Sequence, residues 1–240
     1  MTGKGDGVQH PRRFYRTVTV AQAGDGHAVL LDGRSPRAPG GTPLILPTEA
    51  LAAVAAAEWN AQDPHIIMLS MPAVRLAYTA LEKIAAVREA VADEVARYAA
   101  SDLLCYRAET PRELVADQAA AWDPLLAWAR AEMGITLAPT TGIIHREQPA
   151  DSLGRVKALA LEADDFTLAG LAHAAGLLGS AILAFALQRG RIDGRTAHDL
   201  ARLDEAFQER LWGIDAEAAL RTEGRLAEAV LLERWFGALR

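Results

Sequence analysis

The chain has 240 residues, a net charge of −6 and 51% hydrophobic residues. That composition excludes global disorder, and the acidic balance excludes a general nucleic-acid binder, which needs a basic stripe. A single cysteine, Cys105, excludes an intrachain disulfide framework and a cysteine-rich zinc site.

Residues 1–12 are rich in glycine and charge and lack the apolar run of a secretory signal, so they read as a flexible arm. Residues 13–47 read as a small antiparallel β-rich domain. Phe14, Tyr15, Val18 and Val20 precede the turn Gly24-Asp25-Gly26, and Ala28–Leu31 precede a second turn at Asp32-Gly33. Asp-Gly between apolar runs is a strong hairpin signal. Leu44-Ile45-Leu46 follows a Pro/Gly-rich stretch.

Residues 48–240 read as a mainly helical domain, which makes the fold class α+β. Thr48 is placed to cap a helix along which Leu51, Val54, Ala55 and Glu58 recur. The short apolar runs Ile66–Leu69 and Leu103–Tyr106 have the length of strands. Thr110-Pro111-Arg112-Glu113 predicts a helix start with Thr110 as cap; the helix is expected to run to about Ala121 and to be broken by Trp122-Asp123-Pro124, with Asp123 capping a second helix that Gly134 ends. Beyond a connector over 135–149, helices are expected near 151–163, 166–189, 194–212 and 215–236. Asp193 and Asp215 stand at N-cap positions, and Gly190 and Gly213 at C-caps. The amphipathic end, AVLLERWFGALR, is expected to dock on the body. Phe166–Leu187 carries no charged residue over 22 positions, which meets the length of a membrane span. Its dilution by Ala, Gly, Thr and His173 favours a buried central helix instead.

Motifs for chemistry are mostly missing. No Gly-Lys-Ser/Thr ending follows the glycine-rich stretch, and no dinucleotide fingerprint occurs. Ser180 lacks the flanking glycines of a nucleophile elbow. No histidine pair has metal-ligand spacing on a helix, and Cys105 lies between Leu104 and Tyr106 as a buried thiol would. No catalytic residue, cofactor or metal is expected. On a helical wheel over 194–212, Leu200, Leu203, Phe207 and Leu211 form an apolar seam, with Glu205, Gln208 and Trp212 on a strip beside it. A tryptophan, a carboxylate and an amide together suit a recognition patch. Ordinary packing at the edge of the core suits them as well.

Several blocks in order carry a resemblance. They are Arg13-Phe14-Tyr15, Leu31-Asp32-Gly33-Arg34, Glu58-Trp59-Asn60-Ala61-Gln62, and Met71-Pro72 with Arg75-Leu76-Ala77. Ser101 to Ala108 (SDLLCYRA), Gln118, Trp122-Asp123-Pro124-Leu125-Leu126, and Leu203-Asp204-Glu205 with Gln208, Trp212-Gly213 and Asp215 follow. Nearly the whole chain thus resembles the assembly chaperones of the F-type ATP synthase catalytic head, the kind that binds the alpha subunit. Ala73 and Glu82 depart mildly from that pattern, where a larger aliphatic residue and an Asp are usual.

The resemblance implies a small β-containing domain before a larger helical one, and no enzymatic activity. It implies a client, the unassembled alpha subunit, shielded until the beta subunit replaces it. Glu205, Gln208 and Trp212 then become the candidate contact residues, with Asp204 secondary. Trp59, Arg75, Asp102, Tyr106, Arg107, Trp122 and Asp123 are assigned structural roles, with Arg107 expected to pair with Asp102. No nucleic acid and no membrane insertion is implied, and the free protein is expected to be a monomer. Its expected place is a bacterial cytoplasm, or the mitochondrial matrix if the chain is eukaryotic. The rival is a small-molecule enzyme or ligand-binding protein using Asp204, Glu205, Arg75 and Arg107 in an interdomain cleft.

Overall fold

The computed structural model describes residues 10–142, 144–213 and 216–240, without the side chains of 216–218. Most of the expected arm (residues 1–9) and the expected cap Asp215 lie outside the described residues. The chain divides into two compact units, Met1–Tyr78 and Thr79–Arg240.

The first unit holds an antiparallel sheet of β1 (Val18–Ala23), β2 (Gly26–Leu31) and β3 (Ile45–Leu46), in that order. Val18 pairs with Leu31 and Ala23 with Gly26, so the hairpin turns at Gly24-Asp25. Helix α1 (Glu49–Asn60) packs on the sheet. Thr48 caps it, its hydroxyl accepting from the Leu51 amide at 3.1 Å. Val29, Leu31, Leu44 and Leu46 are buried, as are Leu51, Ala55 and Trp59 of α1. That core is why the unit extends past Pro47: a three-stranded sheet needs a helix to cover its apolar face.

Here the motif blocks meet. The Arg13 guanidinium donates to the carbonyls of Asn60 and Gln62 at 2.8 Å and lies over the Tyr15 ring. Tyr15 donates its hydroxyl to the Trp59 carbonyl at 2.6 Å. The Glu58 carboxylate accepts the amides of Ala73 and Val74, at the start of α2 (Pro72–Thr79). Those amides have no partner within the helix, and a carboxylate there also meets the positive end of the helix dipole. The Ile66–Leu69 run is not a strand. Met68–Ser70 forms a 3₁₀ turn, because the Gln62 side chain captures the Ile67 amide at 2.7 Å. Pro11 and Arg13 are tied to the same loop through the Ile66 amide and the Pro64 carbonyl.

The second unit is helical, with one small parallel pair, β4 (Tyr106–Arg107) on β5 (Thr140–Thr141). Its helices are α3 (Ala85–Ala100), α4 (Arg112–Trp128), α5 (Ala150–Glu162), α6 (Asp165–Leu178), α7 (Ala181–Gln188), α8 (Gly194–Ala201), α9 (Leu203–Trp212) and α10 (Ala216–Leu239). Four expectations fail in instructive ways. Leu103–Cys105 is a 3₁₀ turn, and strand pairing begins only at Tyr106. The helix expected to stop before Pro124 runs on to Trp128, and Pro111 rather than Thr110 holds the cap position. Proline removes one helical hydrogen bond, but burial of Trp122 and Leu125 on either side holds the helix together. The long run over 166–189 is two helices. Gly179 takes φ +65, and Ser180 restarts the chain by accepting from the Leu183 amide. Among the described residues, no helix is long and apolar enough to cross a membrane.

α6 and α7 form the centre, and α10 lies against both. Trp235 and Phe236 of α10 are buried, with the Trp235 indole donating to the Phe166 carbonyl at 3.1 Å. Gly170 permits this approach, since a Cβ there would stand 2.7 Å from the Phe236 ring.

Asp102 sits at the middle of this packing, fully buried. One carboxylate oxygen accepts from the Leu104 amide and the other from the Ile182 amide, both at 3.1 Å. It thereby caps the 3₁₀ turn and the start of α7 together. The expected Arg107–Asp102 pair does not form, because Arg107 turns the other way, to Asp123 at 2.7 Å. Burial pushes the Asp102 carboxyl from 3.8 up to about 6, against the lowering effect of bonds from Ser180, Ile182, Leu104 and Ala181. A raised folded value favours the protonated native state. That contribution is complete below the ordinary value of 3.8 and is lost as pH rises through about 6. Asp102→Ala strands buried donors and is expected to lower stability by about 2–3 kcal/mol at neutral pH. Urea denaturation is expected to show a larger loss at pH 4.5 than at pH 7.5.

Candidate partner-binding site

The strip singled out in the sequence lies on α9. Arg202 separates α9 from α8 with non-helical angles (φ −114, ψ 17), and Gly213 ends it. Asp204 and Glu205 in the first turn and Arg210 in the last each suit the helix dipole.

One side of α9 is firmly held. Phe207 is its buried anchor, and the Arg210 guanidinium lies 5.1 Å from the centre of that ring. Arg210 also reaches Asp117 of α4 at 3.1 Å, and Arg202 pairs with Glu209 at 2.5 Å. Asp204 accepts from the side-chain amide of Gln118 at 2.7 Å. Gln118 is buried, and its own carbonyl oxygen takes the Ala108 amide at 2.8 Å. One turn along α4, the buried Trp122 indole donates to the Leu200 carbonyl at 3.1 Å.

The solvent side of α9 and its last turn are exposed. Glu205 and Gln208 are exposed, Leu211 is 60% exposed and Trp212 is 78% exposed. Leu211 is the open end of the expected seam. Phe207 alone of that seam is buried, with Leu200 and Leu203 half-buried; the break at Arg202 separates Leu200 from the rest, and Leu211 keeps its place in line with Phe207 but lies in the last turn of α9, open to solvent. Leu220 on α10, 70% exposed, also escaped the sequence reading, since periodicity does not say which turn lies against a neighbour. Trp212 and Leu211 are thus large apolar side chains left open to solvent at the end of α9. Each contributes about 1.5–3 kcal/mol when a partner takes it out of water.

The remaining motif residues fall into two groups. Arg107 donates to the carbonyls of Leu104 and Gln118, pairs with Asp123 and stacks over Trp122, so it knits the Ser101–Ala108 segment to α4. The Tyr106 hydroxyl meets His145 at 3.0 Å. Trp59 lies buried against Tyr15 in the first unit, and Arg75 is on the exposed side of α2. Among the described residues, no group of three His, Cys, Asp or Glu side chains has the arrangement of a metal site. Burial and the nearby Asp102 push the Cys105 thiol up to about 12, far from a nucleophile's range.

The profile of the ATP12 chaperone protein family matches residues 12–130. The chain is similar to the crystal structure of Atp12 from Paracoccus denitrificans, at 43% identity and a TM-score of 0.88, over 96% of this chain and 99% of that one. A mutant form of P. denitrificans Atp12p matches with the same identity and TM-score, over 98% of its length. The mitochondrial protein atp12 of Schizosaccharomyces pombe is 26% identical over 93% of this chain and 82% of its own.

The two faces of α9 predict opposite responses to truncation. Asp204→Ala leaves the buried Gln118 amide without an acceptor, and urea denaturation is expected to show a loss of about 1–2 kcal/mol. Glu205→Ala and Gln208→Ala are expected to change stability by less than about 0.5 kcal/mol.

Proposed function

The chain belongs to the ATP12 chaperone family, and from that premise we propose that the outer face of α9 holds the unassembled alpha subunit of the F-type ATP synthase catalytic head. The family serves ATP synthase assembly. The observation that carries the reading to α9 is the pairing of Trp212 and Leu211, both exposed, with the exposed Glu205 and Gln208 on a helix fastened from behind.

An unassembled subunit exposes apolar surface that its neighbours later cover, and such surface aggregates. Trp212 and Leu211 supply the matching apolar contact. Glu205 and Gln208 surround it with polar groups that set orientation, Glu205 meeting a basic group of the client. A holding contact must also release. Rim-exposed polar pairs contribute little net affinity, so an interface of this kind yields when the beta subunit offers a larger one. The chaperone works by covering surface, without catalysis or cofactor, as a monomer in a bacterial cytoplasm or, in a eukaryote, the mitochondrial matrix. The enzymatic alternative is weakened by the duties of its residues: Asp204 is engaged with Gln118, and Arg107 with Leu104, Gln118 and Asp123.

Co-expression with the alpha subunit of the same organism followed by size-exclusion chromatography tests the reading. The two chains are expected to co-elute and to separate when beta subunit is added. Trp212→Ala and Glu205→Lys are each expected to weaken the complex about tenfold or more, with unchanged far-ultraviolet circular dichroism. A complex indifferent to both variants removes α9 from the account.

A further inference from the structure

A second surface of the helical unit has a chemistry that α9 does not use. An open recess of about 650 Å³ is lined by Trp128, Glu132, Gln188, Arg189, Gly190, Arg191 and Arg240. Three arginines and one carboxylate, Glu132, line it, in a chain whose net charge is −6. Arg189 and Arg191 are exposed, and among the described residues neither takes part in an ion pair.

The ordinary structural reason for such arginines is to satisfy the carbonyls at the end of α7. That task is already done by other groups. The Phe185 carbonyl accepts the Arg189 amide, Ala186 the Arg191 amide and Leu187 the Gly190 amide. The Gln188 carbonyl accepts from the Arg240 side chain at 3.1 Å. The Arg189 and Arg191 guanidiniums are therefore left over. Gly190 seats Arg240 at the recess, since a Cβ there would stand 2.7 Å from its Nη1. Trp128, half-buried, adds an apolar wall.

We propose that this recess binds an acidic protein segment. Two or more of its carboxylates reach the guanidiniums of Arg189, Arg191 and Arg240, and an apolar side chain lies on Trp128. Planar guanidinium forks suit carboxylate pairs. Three arginines beside an apolar wall suit a segment carrying several carboxylates and an apolar side chain better than a lone small anion.

The test is fluorescence anisotropy at low ionic strength, with the full chain and a fluorescein-labelled peptide alternating Glu-Asp with Leu. The acidic peptide is expected to bind. The double variant Arg189→Glu/Arg191→Glu is expected to weaken it about tenfold or more, and Arg189→Gln or Arg191→Gln alone about two- to threefold. Glu132→Gln removes an opposing charge and is expected to tighten binding. The single variants decide the matter if charge reversal disturbs the fold. The proposal is overturned if the wild-type chain does not bind or if the arginine variants bind equally well. It is also overturned if a Gln/Asn version of the peptide binds as tightly, or if equimolar inorganic phosphate displaces the peptide, which marks a small-anion site.

Discussion

Gln118 uses both ends of its amide. Its oxygen takes the Ala108 amide at 2.8 Å and its nitrogen donates to Asp204 at 2.7 Å, with Gln118 itself buried and Asp204 half-buried. A buried amide with either end unpaired is costly, so these two bonds fix three elements at once: the Ser101–Ala108 segment, α4 and α9. Arg107 strengthens the first junction by grasping the Leu104 and Gln118 carbonyls, and Trp122 strengthens the second through Leu200. The position of α9 thus follows from hydrogen bonds with directional demands, in addition to the burial of Phe207.

This explains how a surface tryptophan can serve recognition. A partner that buries Trp212 gains most when the helix carrying it is already ordered, because no further chain entropy is lost on binding. The inner face supplies that order, and the outer face is left to solvent. Asp204 and Glu205, adjacent in sequence, have divided these duties: one faces Gln118, the other faces solvent. The Arg-lined recess follows a different logic, with excess charge in place of exposed apolar surface.

The sequence displayed much of this. The Gly24-Asp25 turn, the Thr48 and Asp193 caps and the docking of Trp235 follow from local chemistry that needs few distant neighbours. What failed was decided by packing. Pro124 is tolerated because Trp122 and Leu125 hold the helix from both sides, and no propensity scale includes that. The break at Gly179-Ser180 was hidden by an uninterrupted apolar run. Asp102 is the sharpest case. An aspartate near an arginine suggests an ion pair, yet its partners are the Ser180 side chain and backbone amides, among them Leu104 and Ile182, the latter 80 positions away. The exposure of Leu211 was likewise invisible: it stands one turn after the buried Phe207 on the same line of α9, and periodicity does not say where along a helix its packing stops.

Site-specific photo-crosslinking tests the central claim most directly. A photoreactive phenylalanine analogue placed at Gln208, beside Trp212 and off the buried face, is irradiated in cells that also produce the alpha and beta subunits. The account predicts a covalent adduct with alpha, no adduct with assembled beta, and no adduct when the analogue stands at the exposed Glu109 instead. An analogue at Gln208 that yields no alpha adduct, while the chaperone and alpha subunit still co-purify, contradicts the account.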